Sequence, residues 1–126
     1  MPKAMNDVIA ERERQQAAEG WTPEHDDQHG CGELVHAACC YAKQAAERAW
    51  LLDHKGVEAY RQDPLPSEWP DSWAEEWWKP KNPRRDLVRA AALLIAEIDR
   101  LDRIALKTPN VEVTGAARLY RAASSD

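Results

Sequence analysis

Four cations and two tryptophans are concentrated in the segment WWKPKNPRRDLV, residues 77–88. The aromatic residues are Trp77 and Trp78, and the cations are Lys79, Lys81, Arg84 and Arg85. Indole rings can stack on nucleobases, which contributes about 1–3 kcal/mol per base in single-strand binders. Lys and Arg side chains bind phosphate, and so do the free N–H groups of a helix N-terminus. The segment therefore predicts a site for a small nucleotide.

The position of the two arginines on a helix supports this prediction. Asn82 is suited to cap a helix and Pro83 to be its first residue, so Arg84 and Arg85 fall in the first turn. Cations there oppose the helix dipole, and a bound anion would offset that cost. The alternative is that neighbouring acids pair with the cations in surface ion pairs and that the tryptophans are core anchors. These acids are Glu68, Asp71, Glu75, Glu76 and Asp86.

A second polar segment, EHDDQHGCGELVH at residues 24–36, follows Trp21. Neutral imidazoles and carboxylates can hydrogen-bond ribose hydroxyls and base edges. We therefore expect polar contacts to a nucleotide from this segment and a third stacking ring from Trp21. The residues assigned to polar contacts are His25, Asp26, Asp27 and His29. Arg12 and Arg14, in the preceding helix, belong either to a solvated face or to the same pocket.

A metal site is the alternative use of this segment. If the helix starts early, His29, Glu33 and His36 lie at positions i, i+4 and i+7 on one face and suit zinc, manganese or iron. Gly30 and Gly32 disfavour such a start, and the spacing matches no zinc motif. Otherwise an aspartate of the segment caps the helix, and no metal or other cofactor is expected.

The composition predicts an all-α fold. The chain has 126 residues, six Trp, no Phe and only five Gly, and it is rich in Ala. We expect one domain over residues 1–126, with a core at about 7–105 and a C-terminal extension at 106–126 that is partly extended or a short helix. The architecture expected is a small helical bundle with a Trp/Pro-rich connector between the second and third main helices. A core this small favours a homo-oligomer.

Charge and hydropathy exclude several classes of protein. The net charge of −5 argues against binding to duplex DNA, which requires a broad basic surface. No apolar run reaches the roughly 18–20 residues of a membrane span, and the first residues lack a signal-peptide core. The expected location is therefore the cytoplasm, without a membrane partner. Cys31, Cys39 and Cys40 lack a CxxC spacing and are interpreted as reduced structural thiols.

Hydrophobic periodicity predicts three main helices. The first spans about 7–18, with Asn6 as its cap, Gly20 after its end and the charged residues 11–14 outward. A loop at 20–32 precedes the second helix at about 33–52. The apolar face of the second helix is Leu34, Ala38, Tyr41, Ala45 and Leu52.

A connector at 63–83 is expected to contain at most a turn or two of helix, at 71–78. The third helix runs from Pro83 to about Ala105 and presents an apolar stripe, Leu87, Ala91, Leu94, Ile98 and Leu101. Residues 110–115 are predicted as a short strand or extended chain, and residues 116–126 as a last helical turn or two.

Three blocks of the sequence resemble small uncharacterised proteins of tailed phages and prophages. The blocks are VIAERERQ with GWTPEHDDQH, then GELVHAACCYA, and finally WWKPK with RRDLVRAAALLIAEIDRLDR. They cover most of the chain from Val8 to Arg103. The resemblance implies an accessory protein that acts in the cytoplasm of an infected bacterium.

GELVHAACCYA and DLVRAAALLIAEI are also similar to the two central helices of MazG-type all-α nucleoside triphosphate pyrophosphohydrolases. That resemblance implies Mg²⁺ held by an E-x-x-E pair and an E-x-x-D pair. In this chain only Glu33, with His29 or His36 nearby, and Asp86 match those positions. Too few carboxylates then remain to neutralise Mg²⁺, although a nucleotide could still bind.

Three functional hypotheses follow. The first is a phage protein that sequesters a host immune signalling nucleotide, a cyclic oligonucleotide or an ADP-ribose derivative, without cleaving it. The second is a MazG-like hydrolase that depends on Mg²⁺ or Mn²⁺. The third is a protein-interaction module in which the tryptophans form the interface.

Overall fold

The computed structural model describes residues 1–28 and 32–107, and within these ranges the only regular secondary structure is helical. The predicted all-α fold is confirmed. The helices are α1 (Lys3–Ala18), α2 (Pro23–Asp27), α3 (Glu33–Glu47), α4 (Trp50–Lys55), α5 (Val57–Arg61) and α6 (Pro83–Lys107), with a 3-10 turn at Glu75–Trp77. None of the described helices is both long and apolar enough to cross a membrane.

The centre of the fold is the packing of α3 against α6. Four residues of the apolar face predicted for the second helix, Leu34, Ala38, Tyr41 and Ala45, are buried on α3, whereas the fifth, Leu52, lies in α4 and is only partly buried. From α6, Ala90, Leu93 and Ala96 join the same core cluster. Four of these side chains are those of alanine, and small residues let two helices approach closely. The core therefore depends on close backbone packing and on the tryptophans that surround it.

The Trp-rich connector folds back over this helix pair. Trp69 and Trp73 are buried against each other, with ring centroids 5.6 Å apart. Trp77 and Trp78 are partly buried against the same cluster. The predicted short helix at 71–78 is reduced to the 3-10 turn at Glu75–Trp77. Large aromatic side chains thus anchor a segment whose prolines prevent longer helices.

The start of α6 confirms its predicted cap. The side-chain oxygen Oδ1 of Asn82 accepts a hydrogen bond of 2.8 Å from the backbone N–H of Arg85, and Pro83 is the first helical residue. In contrast, Asn6 is not a cap, because α1 already begins at Lys3. Gly20, after the end of α1, has a φ of 72°, which is a conformation that favours glycine.

Three other helix boundaries differ from the predictions. The second predicted helix is divided, since α3 ends at Glu47 and α4 begins at Trp50. The predicted loop at 20–32 contains α2, in which Pro23 is the first residue and Thr22 Oγ1 accepts from His25 N–H. Helix α5, at Val57–Arg61, was not predicted. These helices have five or six residues, too few for hydrophobic periodicity to reveal them.

Two helices bury polar or small residues, and for α1 this contradicts the predicted orientation. Leu87, Leu94 and Ile98 of α6 are 52%, 42% and 56% exposed, so the most regular apolar stripe of the chain faces solvent. In α1, Glu11 and Arg12 are buried, although the charged residues 11–14 were expected outward. The α6 face that packs on α3 is mostly alanine, and Glu11 of α1 is buried because Arg14 and Arg85 neutralise it. Residues 108–126, with the predicted strand and last helical turn, lie outside the described ranges.

Candidate functional site

A narrow cleft opens where α1, α3, the connector and α6 meet, and the space inside it is about 10 Å³. Three of the predicted ligand-binding residues, Trp21, Trp77 and Lys79, line it. The other lining residues are Glu11, Arg14, Gln15, Glu19, Tyr41, Arg89 and Leu93. The cleft therefore combines aromatic rings with charged groups of both signs.

The two segments predicted from the sequence are in contact beside this cleft. The ring centroids of Trp21 and Trp77 lie 5.5 Å apart at an interplanar angle of 63°. His25 stacks beside Trp21 at 6.2 Å and contacts Trp77 edge-on at 6.1 Å. An aromatic wall of two indoles and one imidazole results.

Tyr41 fixes the connector beside this wall. Its hydroxyl donates a 2.8 Å hydrogen bond to the carbonyl of Trp77 and accepts a 3.1 Å hydrogen bond from the backbone N–H of Lys79. Burial raises the pKa of Tyr41 to about 12, so the phenol stays protonated and able to donate. Arg89 lies over the Tyr41 ring, 5.6 Å from its centroid, and donates to the carbonyl of Lys79. The position of Lys79 at the mouth of the cleft is thereby set.

The other predicted tryptophan of this segment, Trp78, packs against the core. Its ring centroid lies 4.9 Å from that of Tyr41 and 5.5 Å from that of Trp69. Its indole N–H donates to the carbonyl of Asp63 at 3.2 Å. These contacts match the alternative interpretation of Trp78 as a core anchor.

Arg84 and Arg85 both pair with carboxylates of α1. Arg84 lies 2.9 Å from Asp7, and Arg85 forms an ion pair with buried Glu11. Burial opposes the ionisation of Glu11, but Arg14 and Arg85 outweigh that cost and lower its pKa. The anions that offset the positive first turn of α6 are therefore side chains of the protein itself. They come from α1, whereas the sequence suggested acids close to the cations in the chain.

Asp26 and Asp27 attach α2 to the long helices. Asp26 is fully buried, lies 2.5 Å from the guanidinium of Arg12 and contacts His25 Nδ1 at 3.3 Å. Asp27 forms an ion pair with Arg103 of α6 at 2.8 Å. Of the described residues predicted to make polar contacts to a ligand, His25 is the one whose ring contacts Trp21 and Trp77. His29 lies outside the described residues.

Asp86 organises the chain just before α6. It accepts hydrogen bonds from the hydroxyl of Tyr60 at 2.5 Å and from the backbone N–H of Lys81 at 3.0 Å. Burial raises the pKa of this fully buried carboxyl group. The ammonium groups of Lys79 and Lys81 are exposed, and within residues 1–28 and 32–107 neither takes part in an ion pair. These two cations are accessible to an external anion.

Two buried polar atoms at the cleft lack a hydrogen-bond partner among the described residues, namely Trp21 Nε1 and Gln15 Oε1. One is a donor and the other an acceptor. Buried polar atoms are normally satisfied, so these two mark a position for water or a polar ligand group. Gln15 was not predicted as a site residue. The sequence marks it only as one polar residue of α1, a helix with little apolar character.

The arrangement required for the metal alternative is not formed by one helix, because α3 begins at Glu33 and Gly32 before it has a φ of 83°. Glu33 and His36 instead line a separate groove beside residues 67–72 of the connector. Within the part of the chain that the structure describes, no three His, Cys, Asp or Glu residues are grouped as a metal site would require.

Comparison with known proteins yields no match to a family model, to a curated protein or to a solved structure. The resemblances to phage accessory proteins and to MazG-type enzymes therefore stay predictions.

Proposed function

We propose that this protein binds a small nucleotide at the cleft and holds it without cleaving it. The observation that carries the proposal is the convergence of the rings of Trp21 and Trp77 with the cations Lys79 and Arg89 around a single opening. Because Trp21 is buried at 3% exposure, the partly exposed ring of Trp77 is the one that a base can reach, and the cations can bind the phosphates.

The charges of the described lining residues favour an anion. Arg14, Lys79 and Arg89 carry three positive charges, against two negative charges on Glu11 and Glu19, which leaves one positive charge in excess. Arg14 is committed to both acids, at 2.7 Å from Glu11 and 3.0 Å from Glu19. Lys79 is therefore the cation most available to a phosphate, and exposed Lys81 extends the positive surface.

The size of the cleft limits how the ligand binds. The space inside it is about 10 Å³, enough for about one water molecule and far below the roughly 300–1,000 Å³ of sites that enclose a whole small molecule. Only one small polar group of the ligand could enter it and pair with Trp21 Nε1 or Gln15 Oε1. The remainder would lie across Lys79 and Lys81.

The ligand class rests on the resemblance to phage proteins. A protein acting in an infected bacterium would gain by removing a host immune signal, so the candidates are cyclic oligonucleotides and ADP-ribose derivatives. Binding without cleavage is favoured by the contacts of Asp86. This carboxyl group, which the MazG resemblance would assign to Mg²⁺, already accepts from Tyr60 and Lys81.

The test is a thermal-shift and equilibrium-dialysis screen of the full chain against nucleoside triphosphates, cyclic di- and trinucleotides and cyclic ADP-ribose isomers. A binding nucleotide should be recovered intact after denaturation of the complex, as measured by ion-exchange chromatography. Lys79→Ala should weaken binding roughly tenfold, because a charge-assisted hydrogen bond contributes about 1.5–3 kcal/mol. Lys55→Ala, at an exposed lysine of α4, is the matched control and should leave the affinity unchanged.

Two results would contradict this function. Recovery of a cleaved product that forms only in the presence of a metal ion would support the hydrolase alternative. If no nucleotide shifts the melting temperature or is retained in dialysis, the cleft does not bind nucleotides.

A further inference from the structure

An apolar surface lies on the side of α1 and α6 that faces solvent. We call it the α1–α6 face, and it consists of Met1, Met5, Ile9, Leu87, Leu94, Ile95 and Ile98, each at least 37% exposed. Its two halves are contiguous, because Met5, Val8, Ile9 and Ile95 line one apolar groove together with Ala4. Large contiguous apolar patches on soluble proteins mark interaction sites.

From this surface we propose that the α1–α6 face pairs with the same face of a second copy of the chain, with α6 antiparallel to α6. The proposal is independent of nucleotide binding. Its basis is the unusual orientation of both helices, which bury polar residues such as Glu11 of α1 and Asp86 of α6 while Ile9 and Ile98 stay exposed. Two identical apolar faces exclude water from each other when they meet.

The spacing of the α6 stripe suits antiparallel pairing. Leu87, Ala91, Leu94 and Ile98 are separated by steps of four, three and four residues, a pattern that reads the same in both directions. Placed antiparallel, Leu87 packs on Ile98 of the second copy and Ala91 packs on Leu94. Each pair of facing positions is then apolar, and a small residue faces a large one at the centre.

Charges at the two ends of the stripe are complementary in the same register. At the N-terminal end, Lys3 and Arg84 share the single carboxylate of Asp7, at 2.7 and 2.9 Å, which leaves one positive charge in excess. At the C-terminal end Asp102 is exposed, and no ion pair among the described residues includes it. Antiparallel pairing brings Arg84 of each copy beside Asp102 of the other, whereas parallel pairing would bring like charges together.

The available area indicates a reversible dimer. From Arg84 to Asp102 the stripe is about 27 Å long, and two adjacent helices are about 20 Å wide, so each copy offers roughly 500 Å². The total of about 1,000 Å² lies at the lower limit for specific interfaces. We therefore expect a concentration-dependent equilibrium between monomer and dimer.

Sedimentation velocity of the full chain tests the proposal over concentrations from about 1 to about 300 μM, the range in which an interface of this size should dissociate. The wild type should shift from monomer to dimer. Leu94→Glu and Ile98→Glu should each raise the dissociation constant at least tenfold while circular dichroism shows unchanged helicity. Val57→Glu places the same charge at an apolar residue of α5 that is 40% exposed, and it should have no effect.

A charge variant tests the antiparallel arrangement. Asp102→Lys should weaken the dimer, because it sets two cations side by side, and the control Asp53→Lys on exposed α4 should not. An unchanged dissociation constant for Asp102→Lys would overturn the antiparallel register. A monomer at every concentration would overturn the proposal, and so would a dimer that survives both glutamate substitutions. In either case the α1–α6 face would be bare, covered by residues 108–126 or used by a different partner.

Discussion

The hydroxyl of Tyr60 donates a 2.5 Å hydrogen bond to Oδ2 of Asp86, and both side chains are fully buried. This contact joins α5 to the first turn of α6, across the whole Trp-rich connector. Burial raises the pKa of Asp86, while Tyr60, Lys81 and Arg89 oppose that rise. Asp86 thus holds the chain where the connector becomes a helix, at the cost of burying a titratable group.

The raised pKa of Asp86 predicts a specific dependence of stability on pH. The folded protein holds this proton more tightly than the unfolded chain, whose pKa is near 3.8. The free energy of unfolding should therefore fall as pH rises above 3.8 through the raised pKa, by at most about 1.4 kcal/mol per pH unit. Other carboxylates titrate as well, so the quantity to measure is the difference between wild type and Asp86→Asn in urea unfolding. A difference that grows with pH would contradict the prediction.

The buried pair of Arg12 and Asp26 predicts a large loss of stability when one partner is removed. Asp26→Ala leaves the guanidinium of Arg12 without its carboxylate, and breaking such a pair costs about 3–5 kcal/mol. Replacing both with apolar residues, in Arg12→Met/Asp26→Leu, should recover most of the loss. Lys3→Ala, in the exposed pair with Asp7, should cost less than about 0.5 kcal/mol. Equilibrium unfolding in guanidinium chloride measures all three, and equal losses for Lys3→Ala and Asp26→Ala would refute the assignment.

Two leucines of α6 test which side of that helix is the core. Leu93 is fully buried, whereas Leu87 is 52% exposed. Leu93→Ala should lower the free energy of unfolding by about 2–5 kcal/mol, because it creates a cavity. Leu87→Ala should cost well under about 1 kcal/mol at concentrations where the chain is monomeric. Urea unfolding of both variants decides the matter, and the reverse order would restore the apolar stripe as the core.

Two asparagines test the helix starts. Asn82→Ala removes the side-chain acceptor that caps α6 and should cost about 1 kcal/mol, with Asn82→Asp or Asn82→Ser retaining most of the stability. Asn6 lies inside α1, where alanine is the better helix former, so Asn6→Ala should be neutral or slightly stabilising. Thermal unfolding by circular dichroism compares them. A loss at Asn6 as large as that at Asn82 would place the start of α1 at the predicted position instead.

Part of the cleft could be predicted from the sequence. Trp77 and Lys79 were identified because tryptophans and cations are clustered at residues 77–85, and Trp21 because it precedes the second polar segment. Tyr41 was predicted only as part of the apolar face of α3, and Arg89 was hidden within an ordinary amphipathic helix. Their roles at the cleft arise from contacts between residues that are 36 to 48 positions apart, such as the bond from Tyr41 to the carbonyl of Trp77. Local patterns carry no information about such distances.

The sequence by itself determined the all-α fold, the cap and length of α6 and the aromatic anchoring of the connector. These features depend on local chemistry: a cap needs one side chain and three neighbouring residues, and prolines prevent a helix wherever they lie. Only the tertiary structure decided which face of α6 is buried and what neutralises Arg84 and Arg85. Helical periodicity identifies an apolar stripe, but it does not show which element, if any, packs against that stripe. On α6 the buried face is the alanine face, which permits close approach to α3. Asp7 and Glu11 of α1 supply the anions that offset the positive charge of the first turn of α6.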